Sequence, residues 1–461
     1  MKRHAIVIYG LCALLLFVAT HTWSQDPSVA ASDFDGSGTV DFKDFVTFAR
    51  GFGKSSSDPD FDARLDLNGN GAVDFADFAI FARNFGKSVS QPARMLIYIS
   101  DPDFLETGGK IEVYDARTNL LDRTIPVPLP QGMAYSSINR QLYVTSADTF
   151  YAFTESDVRA FTIPLEDPPE EPGGIPQTRG GSKIALSADH RFAFVSENQI
   201  GQVEVIDLQQ KQPVAQIPVG PRPNPDQLVI TMGIVATSDE VYVGHLGNAI
   251  AVIDAAAFSF KDSIVVENMA QRRLALSPSG DRLYVPGFQR VPTPGSADSS
   301  VVAQILAIDP ATRAVVDTLQ VGDASDPGSY VEDLATSKDG AFLYATLNRE
   351  FEAFDPQFNL TITQYKGKVV VVGTDSFKVA GSIEIPDADL LFNLGVSPDG
   401  KTAYAAGKED PFEIAAQVFI LDLEARQYVG PLRGFTAPTD IKLRSGKPAL
   451  NRMALPEIVV F

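Results

Sequence analysis

Two stretches of this 461-residue chain place oxygen-bearing side chains at alternate positions: DFDGSGTVDFKD from Asp33 and DLNGNGAVDFAD from Asp66. A twelve-residue calcium loop needs oxygens at positions 1, 3 and 5, a backbone carbonyl at 7, a ligand or bound water at 9 and a carboxylate at 12. Glycine at 6 permits its sharp turn. The first stretch supplies Asp33, Asp35, Ser37, Thr39, Asp41 and Asp44 at the ligand places, with Gly38 at the sixth. The second supplies Asp66, Asn68, Asn70, Ala72, Asp74 and Asp77, with Gly71 at the sixth. Carboxylates crowded into one loop repel one another, and a hard divalent cation removes that repulsion. The expected cofactor is therefore Ca2+ at two sites. The first loop should bind it more tightly, because Asp33, Asp35, Asp41 and Asp44 outnumber Asp66, Asp74 and Asp77.

These loops need elements to hold them, and the duplication supplies those too. At the same offset Asp44-Phe45, Phe48-Ala49-Arg50 and Phe52-Gly53-Lys54 recur as Asp77-Phe78, Phe81-Ala82-Arg83 and Phe85-Gly86-Lys87. The phenylalanines at 42, 45, 48 and 52, and at 75, 78, 81 and 85, have the spacing of a helical stripe. Two loop-helix units would bury their stripes against each other, and calcium would help to close so small a domain. The residues before each loop, DPSVAAS and KSSSDPDFDAR, show no helical period, so no helix is expected to enter either loop. The segment resembles a type I dockerin, whose duplicated loop-helix motif has Asp at the twelfth place. The resemblance implies calcium binding and a cohesin-like or other extracellular protein partner. It also implies that Phe42-Lys43 and Phe75-Ala76, at loop positions 10 and 11, help to select that partner.

The chain's start, MKRHAIVIYGLCALLLFVATHTWSQ, reads as a secretory signal peptide over residues 1–24. The expected order is then the calcium module at 25–87, a linker at 88–94 (GKSVSQPAR spans it) and a larger domain at 95–461. The predicted location is secreted, at the cell surface or in a periplasm. Cys12, the only cysteine, falls inside the leader, so the mature chain has no disulfide. A formal charge of −20 with no Lys/Arg cluster argues against nucleic acid and anionic membranes as partners. No later apolar run is long enough to span a bilayer.

From Met95 the pattern changes to short alternating strands broken by turns. RRLALSPSGDRLYVPG with AQILAIDPATRAVVDTLQVG is the clearest unit: strand, Ser-Pro-x-Gly turn, strand with Tyr-Val, strand with Ile-Asp, turn, strand. NLGVSPDGKTAYAAG with QVFILDLEARQYVG repeats it, as does KIALSADHRFAFVSE with QVEVIDLQQKQPVAQIPVG. Four strands per repeat without helices imply a β-propeller. Six full units are visible, and TAPTDIKLR near Arg444 is a first strand completing RMLIYIS and KIEVYDARTNLLDRTIPV. The expected fold class is mainly β, an about seven-bladed propeller behind a small α-helical tandem loop-helix module. The repeats are similar to the YVTN family, akin to lactonase-like and quinoprotein-like propellers.

Loops after the second and fourth strands should gather on one face, bringing Glu197, Asn198, His245, Arg290, Asn348, Glu350, Lys408, Glu409, Arg179 and Arg272-Arg273 there. Mixed charges on loops read first as a solvated rim. His190 replaces the glycine of a Ser-Pro-x-Gly turn and reads as a turn residue, and His245 alone cannot build a multi-histidine metal site. No nucleophile-elbow or P-loop pattern accompanies them. The leading function is a calcium-binding protein in which the module tethers or stabilises a propeller scaffold for a protein or ligand. The alternative is a propeller enzyme, a lactonase-like hydrolase or a carbohydrate-active enzyme carried by its dockerin.

Overall fold

The computed structural model describes residues 27–35, 39–87, 94–102, 108–146, 148–165, 181–197, 201–219, 231–245, 249–269, 273–292, 299–355, 360–410, 413 and 415–446. The leader, residues 88–93 of the linker, Ser37 and the tail from 447 lie outside them. The chain divides into two compact units, one containing the N-terminal residues to Arg94, the other Met95–Gly446.

Among the described residues of the first unit there are three helices: α1 (Pro27–Ser32), α2 (Phe42–Gly51) and α3 (Phe75–Asn84). Helix α1 corrects the expectation that nothing helical precedes the first loop. It is only six residues long, with proline in the first turn, so it needs no apolar period of its own. Contacts hold it instead: Val29 packs on the module core and Asn84 Nδ2 donates to Ser32 Oγ at 3.0 Å. Asp41 and Asp74 cap α2 and α3, each completed into a capping box by the carboxylate three residues on, Asp44 or Asp77. The two halves exchange strands of backbone hydrogen bonds. Val40 of the first loop donates to Lys87 O and accepts from Gly86 N (3.0 and 2.8 Å), while Val73 of the second accepts from Gly53 N and donates to Lys54 O (both 2.8 Å).

Between them Phe48 and Phe81 stack with centroids 5.5 Å apart, enclosed by Val40, Leu65 and Val73. The predicted stripe is thus only partly interior. Phe42 and Phe75 remain 68% and 72% exposed, and Phe52 and Phe85 about half so. Helices of ten residues meet over a single contact zone, so a residue in the first turn lies beyond it.

In the second unit the described strands form seven four-stranded antiparallel sheets. Their first strands, Asp440–Gly446, Met133–Ser136, Gly181–Leu186, Thr231–Ala236, Ala275–Leu276, Ser329–Thr336 and Leu390–Val396, pack one against the next and close a circle. Third strands such as Gln202–Asp207 and Ala416–Asp422 are buried almost throughout, because a neighbouring blade covers each face. Outer strands such as Leu120–Pro126 are mostly exposed. In every blade the pairing of the third with the fourth strand contains a register shift, which bends the outer edge away from pairing with other chains.

The recurring motifs have local structural causes. In the turn after the first strand, whose sequence is SADH, SKDG or SPDG, Ser187, Ser337 and Ser397 Oγ each accept the N–H five residues on at 2.9 Å and donate to an aspartate two residues on at 2.6 Å. The aspartate of Ile-Asp accepts turn N–H groups, as Asp207 does from Gln209 and Gln210 at 2.9 Å. The second-strand tyrosine, followed by valine at 143 and 242, fills the space between blades: Tyr98, Tyr143, Tyr242 and Tyr404 are all buried. As expected, the strand 440–446 from the chain's far end joins the sheet of Arg94–Asp101. The buried Asp101 carboxylate clasps this closure, accepting Thr436 Oγ1 at 2.6 Å, Thr436 N at 3.1 Å and Ala437 N at 3.0 Å.

Candidate metal centre and charged channel

The first loop brings the carboxylate oxygens of Asp33, Asp35 and Asp44 within 4.8 Å of one another. Asp44 is fully buried and held from three sides, with Oδ1 accepting Phe34 N at 2.7 Å and Asp35 N at 3.1 Å and Oδ2 accepting Asp41 N at 2.8 Å. It sits in the first turn of α2, where the helix dipole and the N–H groups favour negative charge. Thr39 and Asp41 lie on the same loop.

The second loop repeats the frame around Asp77, which accepts Asn68 N at 3.0 Å and Asp74 N at 2.8 Å. Gly69 and Gly71 adopt φ values of 71° and 86°, so the turn places glycine where other residues would be strained. Here Asp66 accepts from Asn70 N at 3.1 Å and Gly71 N at 2.7 Å, and Asn70 Oδ1 accepts Ala72 N at 2.9 Å. Among the described residues only the first loop assembles three carboxylates this closely. The second loop has amides at Asn68 and Asn70 where the first has Asp35 and Ser37.

On the propeller several of the expected rim residues have local partners of their own. Asn348 is buried and ties two blades together, donating to Leu391 O and accepting Leu391 N, both at 2.9 Å. Arg433 pairs with Glu409 at 3.0 Å, Lys408 Nζ donates to Glu413 O at 2.6 Å, and Arg290 lies over the Phe288 ring. His190 is a turn residue, as read, with φ of 54° and its Nδ1 2.8 Å from Ser136 Oγ. Burial pushes its pKa below the usual histidine range. Asn198, Arg179, Arg272 and the side chain of His245 lie outside the described residues.

What the sequence reading missed is a charged level along the axis. Ser100, Thr145, Ser196 and Thr346, all on second strands, donate their hydroxyls to the carbonyls of Asp440, Gly132, Lys183 and Asp333 at 3.2, 3.2, 3.4 and 3.4 Å. These four residues therefore occupy one structural position on four blades. Gly233, Arg273 and Asn393 share it by spacing, four residues before Thr237, Ser277 and Ser397, as Lys183 and Asp333 stand before Ser187 and Ser337. Read as a column across the repeats, this position offers a polar signal that motif searching passes over. Because Gly132 has no side chain, Lys183 reaches past that blade to Asp440 Oδ1 at 3.2 Å and donates to Thr439 O at 2.9 Å. Lys442 reaches the same carboxylate oxygen at 3.3 Å, and Met133 N donates to Asp440 Oδ2 at 2.8 Å. Burial pushes the Lys183 ammonium down to about 8, against the pull of Asp440 and in the same direction as the push of Arg273 and Lys442. Burial alone would raise the Asp440 carboxyl, but Lys183, Lys442 and Met133 N bring it down to about 2.

No protein-family model matches the chain, and no curated protein does. Solved structures similar to it include hydrazine synthase of Kuenenia stuttgartiensis, at 19% identity over 68% of this chain and 89% of that one, with a TM-score of 0.51. A protein from Lactobacillus plantarum is 14% identical over 76% of this chain and all but 1% of that one, with a TM-score of 0.54. A candidate 6-phosphogluconolactonase from Bacteroides uniformis is 13% identical over 77% of this chain and 100% of that one, with a TM-score of 0.55. At such identities the likeness is one of fold: the described residues form a seven-bladed β-propeller, as those structures do.

Proposed function

We propose that the chain is an exported calcium-binding protein in which the module tethers or rigidifies a propeller that serves as a binding scaffold. The observation that carries this reading is the first loop, where Asp33, Asp35 and Asp44 converge at the spacing a calcium loop requires. Asp41, the Thr39 carbonyl and Ser37 would complete that site. Asp66, Asn68, Asn70, the Ala72 carbonyl, Asp74 and Asp77 would form the second. An apolar leader supports export, and the dockerin resemblance supports an extracellular protein partner of the cohesin kind. In calorimetry, saturating calcium should raise the module's unfolding transition by on the order of 10 °C or more over chelated protein, given about 3 kcal/mol per site at a hundredfold excess over Kd. An unchanged transition together with no calcium uptake would remove the reading.

A second reading is a lactonase-like hydrolase. It is favoured by the likeness to candidate 6-phosphogluconolactonases and by the charged side chains facing the propeller axis.

A further inference from the structure

We propose that a cleft between two neighbouring blades, lined by Arg426, binds a short acidic saccharide, its carboxylate held by Arg426 and Lys338 and its hydroxyls by Asp339 and Asp399. This rests on the reading of the propeller as a binding scaffold and supplies the ligand's chemical class. The cleft has a volume of about 680 Å³ and lies between the blade that begins at Ser329 and the one that begins at Leu390. That is within the roughly 300–1,000 Å³ usual for ligand sites. Turns joining first to second and third to fourth strands form its walls. It therefore opens on the face opposite the one where loops after the second and fourth strands gather.

At four other junctions this gap is filled. A residue of left-handed conformation in the third-to-fourth-strand turn reaches the second strand of the preceding blade. Phe258 (φ 50°) lies 4.8 Å from the Phe192 ring, and Phe377 (φ 43°) stacks 6.0 Å from Tyr284. Arg313 (φ 62°) donates to Glu240, and Asp157 (φ 59°) accepts the Tyr98 hydroxyl at 3.1 Å. Arg426, with φ of 54°, occupies the same place but turns aside, its Nη1 donating to Ala380 O on the outer strand. Gly381 makes room for it there, since a Cβ would come within 2.7 Å of that nitrogen. Where Glu240 stands two residues before Tyr242, this blade has Phe342 before Tyr344, so its second strand offers Arg426 no carboxylate.

The groups left facing the cleft are of three kinds. Half-buried Phe342 gives an apolar surface, and the Tyr344 hydroxyl has no hydrogen-bond partner among the described residues. Burial pushes the Tyr344 pKa up, so the phenol stays a donor. Asp339 and Asp399 each use Oδ1 for a serine hydroxyl at 2.6 Å and a backbone N–H at 3.1 Å, which leaves each Oδ2 to accept from a ligand. Lys401 is paired with Glu424 at 3.2 Å, whereas no ion pair joins Lys338 or Arg426 to the described residues. Carboxylate oxygens only accept, so they call for a ligand rich in hydroxyl donors. The two unpaired cations call for an anion, and the guanidinium fork fits the edge of a carboxylate. A sugar acid carries both on one ring, whose C–H face can cover Phe342.

The test uses the full chain in a fixed excess of calcium, titrated calorimetrically with the tetrasaccharide of alternating glucuronate and N-acetylglucosamine. The neutral N-acetylglucosamine tetrasaccharide is titrated separately. The acidic probe should bind saturably, and about tenfold or more tighter than the neutral one. Arg426→Phe should remove that binding, because phenylalanine at this turn position closes other junctions at similar φ, as Phe258 and Phe377 do. Arg159→Met, which changes an exposed arginine on an outer strand of another blade, should leave it unaltered. Should Arg426→Phe fold poorly, acetylation of Lys338 in the unaltered protein, mapped by mass spectrometry, should slow when the acidic probe is bound. No saturable binding of the acidic probe, equal affinity for the neutral one, binding retained in Arg426→Phe, or acetylation indifferent to the probe overturns the proposal. Calcium uptake is measured on the same samples. Uptake without saccharide binding removes this inference and leaves the calcium reading standing, and saccharide binding without uptake does the reverse.

Discussion

Glu240 shows how single charges are used in this propeller. Its carboxylate accepts Arg313 Nη1 at 2.8 Å from the third-to-fourth-strand turn of the next blade, lies 2.8 Å from Lys261 Nζ and also takes the Tyr242 hydroxyl. The Arg313 hydrogen bond outweighs burial and, with those of Lys261 and Tyr242, lowers the Glu240 pKa to about 2. A depressed carboxyl contributes stability fully above its unfolded value of 4.5, and that contribution is lost as pH falls through about 2. Glu240→Gln should therefore cost about 1–2 kcal/mol at neutral pH, less than the full shift implies because solvent reaches Arg313 and Lys261. The gap between variant and parent, followed by urea unfolding, should close as pH drops below about 4.5. A gap constant with pH would show that packing, not charge, is what the substitution removes.

At the scale of elements, the module separates buried from exposed aromatic rings within one repeated helix. Phe48 and Phe81 stack in the interior, whereas Phe42 and Phe75 stand exposed at the start of the same helices. Phe48→Ala should lower the module's unfolding free energy by about 3–5 kcal/mol, enough to abolish its transition in chelator. Phe42→Ala should leave that transition within about 0.5 kcal/mol of the parent. Calorimetry in chelator and in calcium checks both. If Phe42→Ala proved as damaging as Phe48→Ala, the whole stripe would be core after all.

The whole propeller depends on a join between residues more than three hundred positions apart. Asp101 clasps Thr436 and Ala437, and Arg444, buried between the rings of Tyr98 and Tyr135, donates to Asp157 at 3.1 Å and Glu155 O at 2.9 Å. Asp101→Ala leaves two half-buried backbone donors and a hydroxyl without their acceptor, so it should cost about 2–4 kcal/mol. The loss should appear in the propeller's transition and spare the module's, since the two units have separate cores. A propeller that melted unchanged would mean the ring does not rely on this clasp.

The loops, both capped helices and the blade repeat were legible in the sequence because each rests on short-range spacing: Asp33 to Asp44, Asp66 to Asp77, Ser397 to Gly400. Even the closing strand near Arg444 could be read, as the missing first strand of an incomplete repeat. Other features depended on the tertiary arrangement. Helix α1 exists through contacts of Val29 and Ser32 with residues fifty positions away, which no local period announces. Phe42 and Phe48 lie on one stripe in sequence and on opposite sides of the surface in space, because two short helices touch over one zone only. The meeting of Lys183, Arg273, Asp333 and Asp440 follows from circular closure. Each is an ordinary charged residue on its own blade, and only the closed ring brings the blades together.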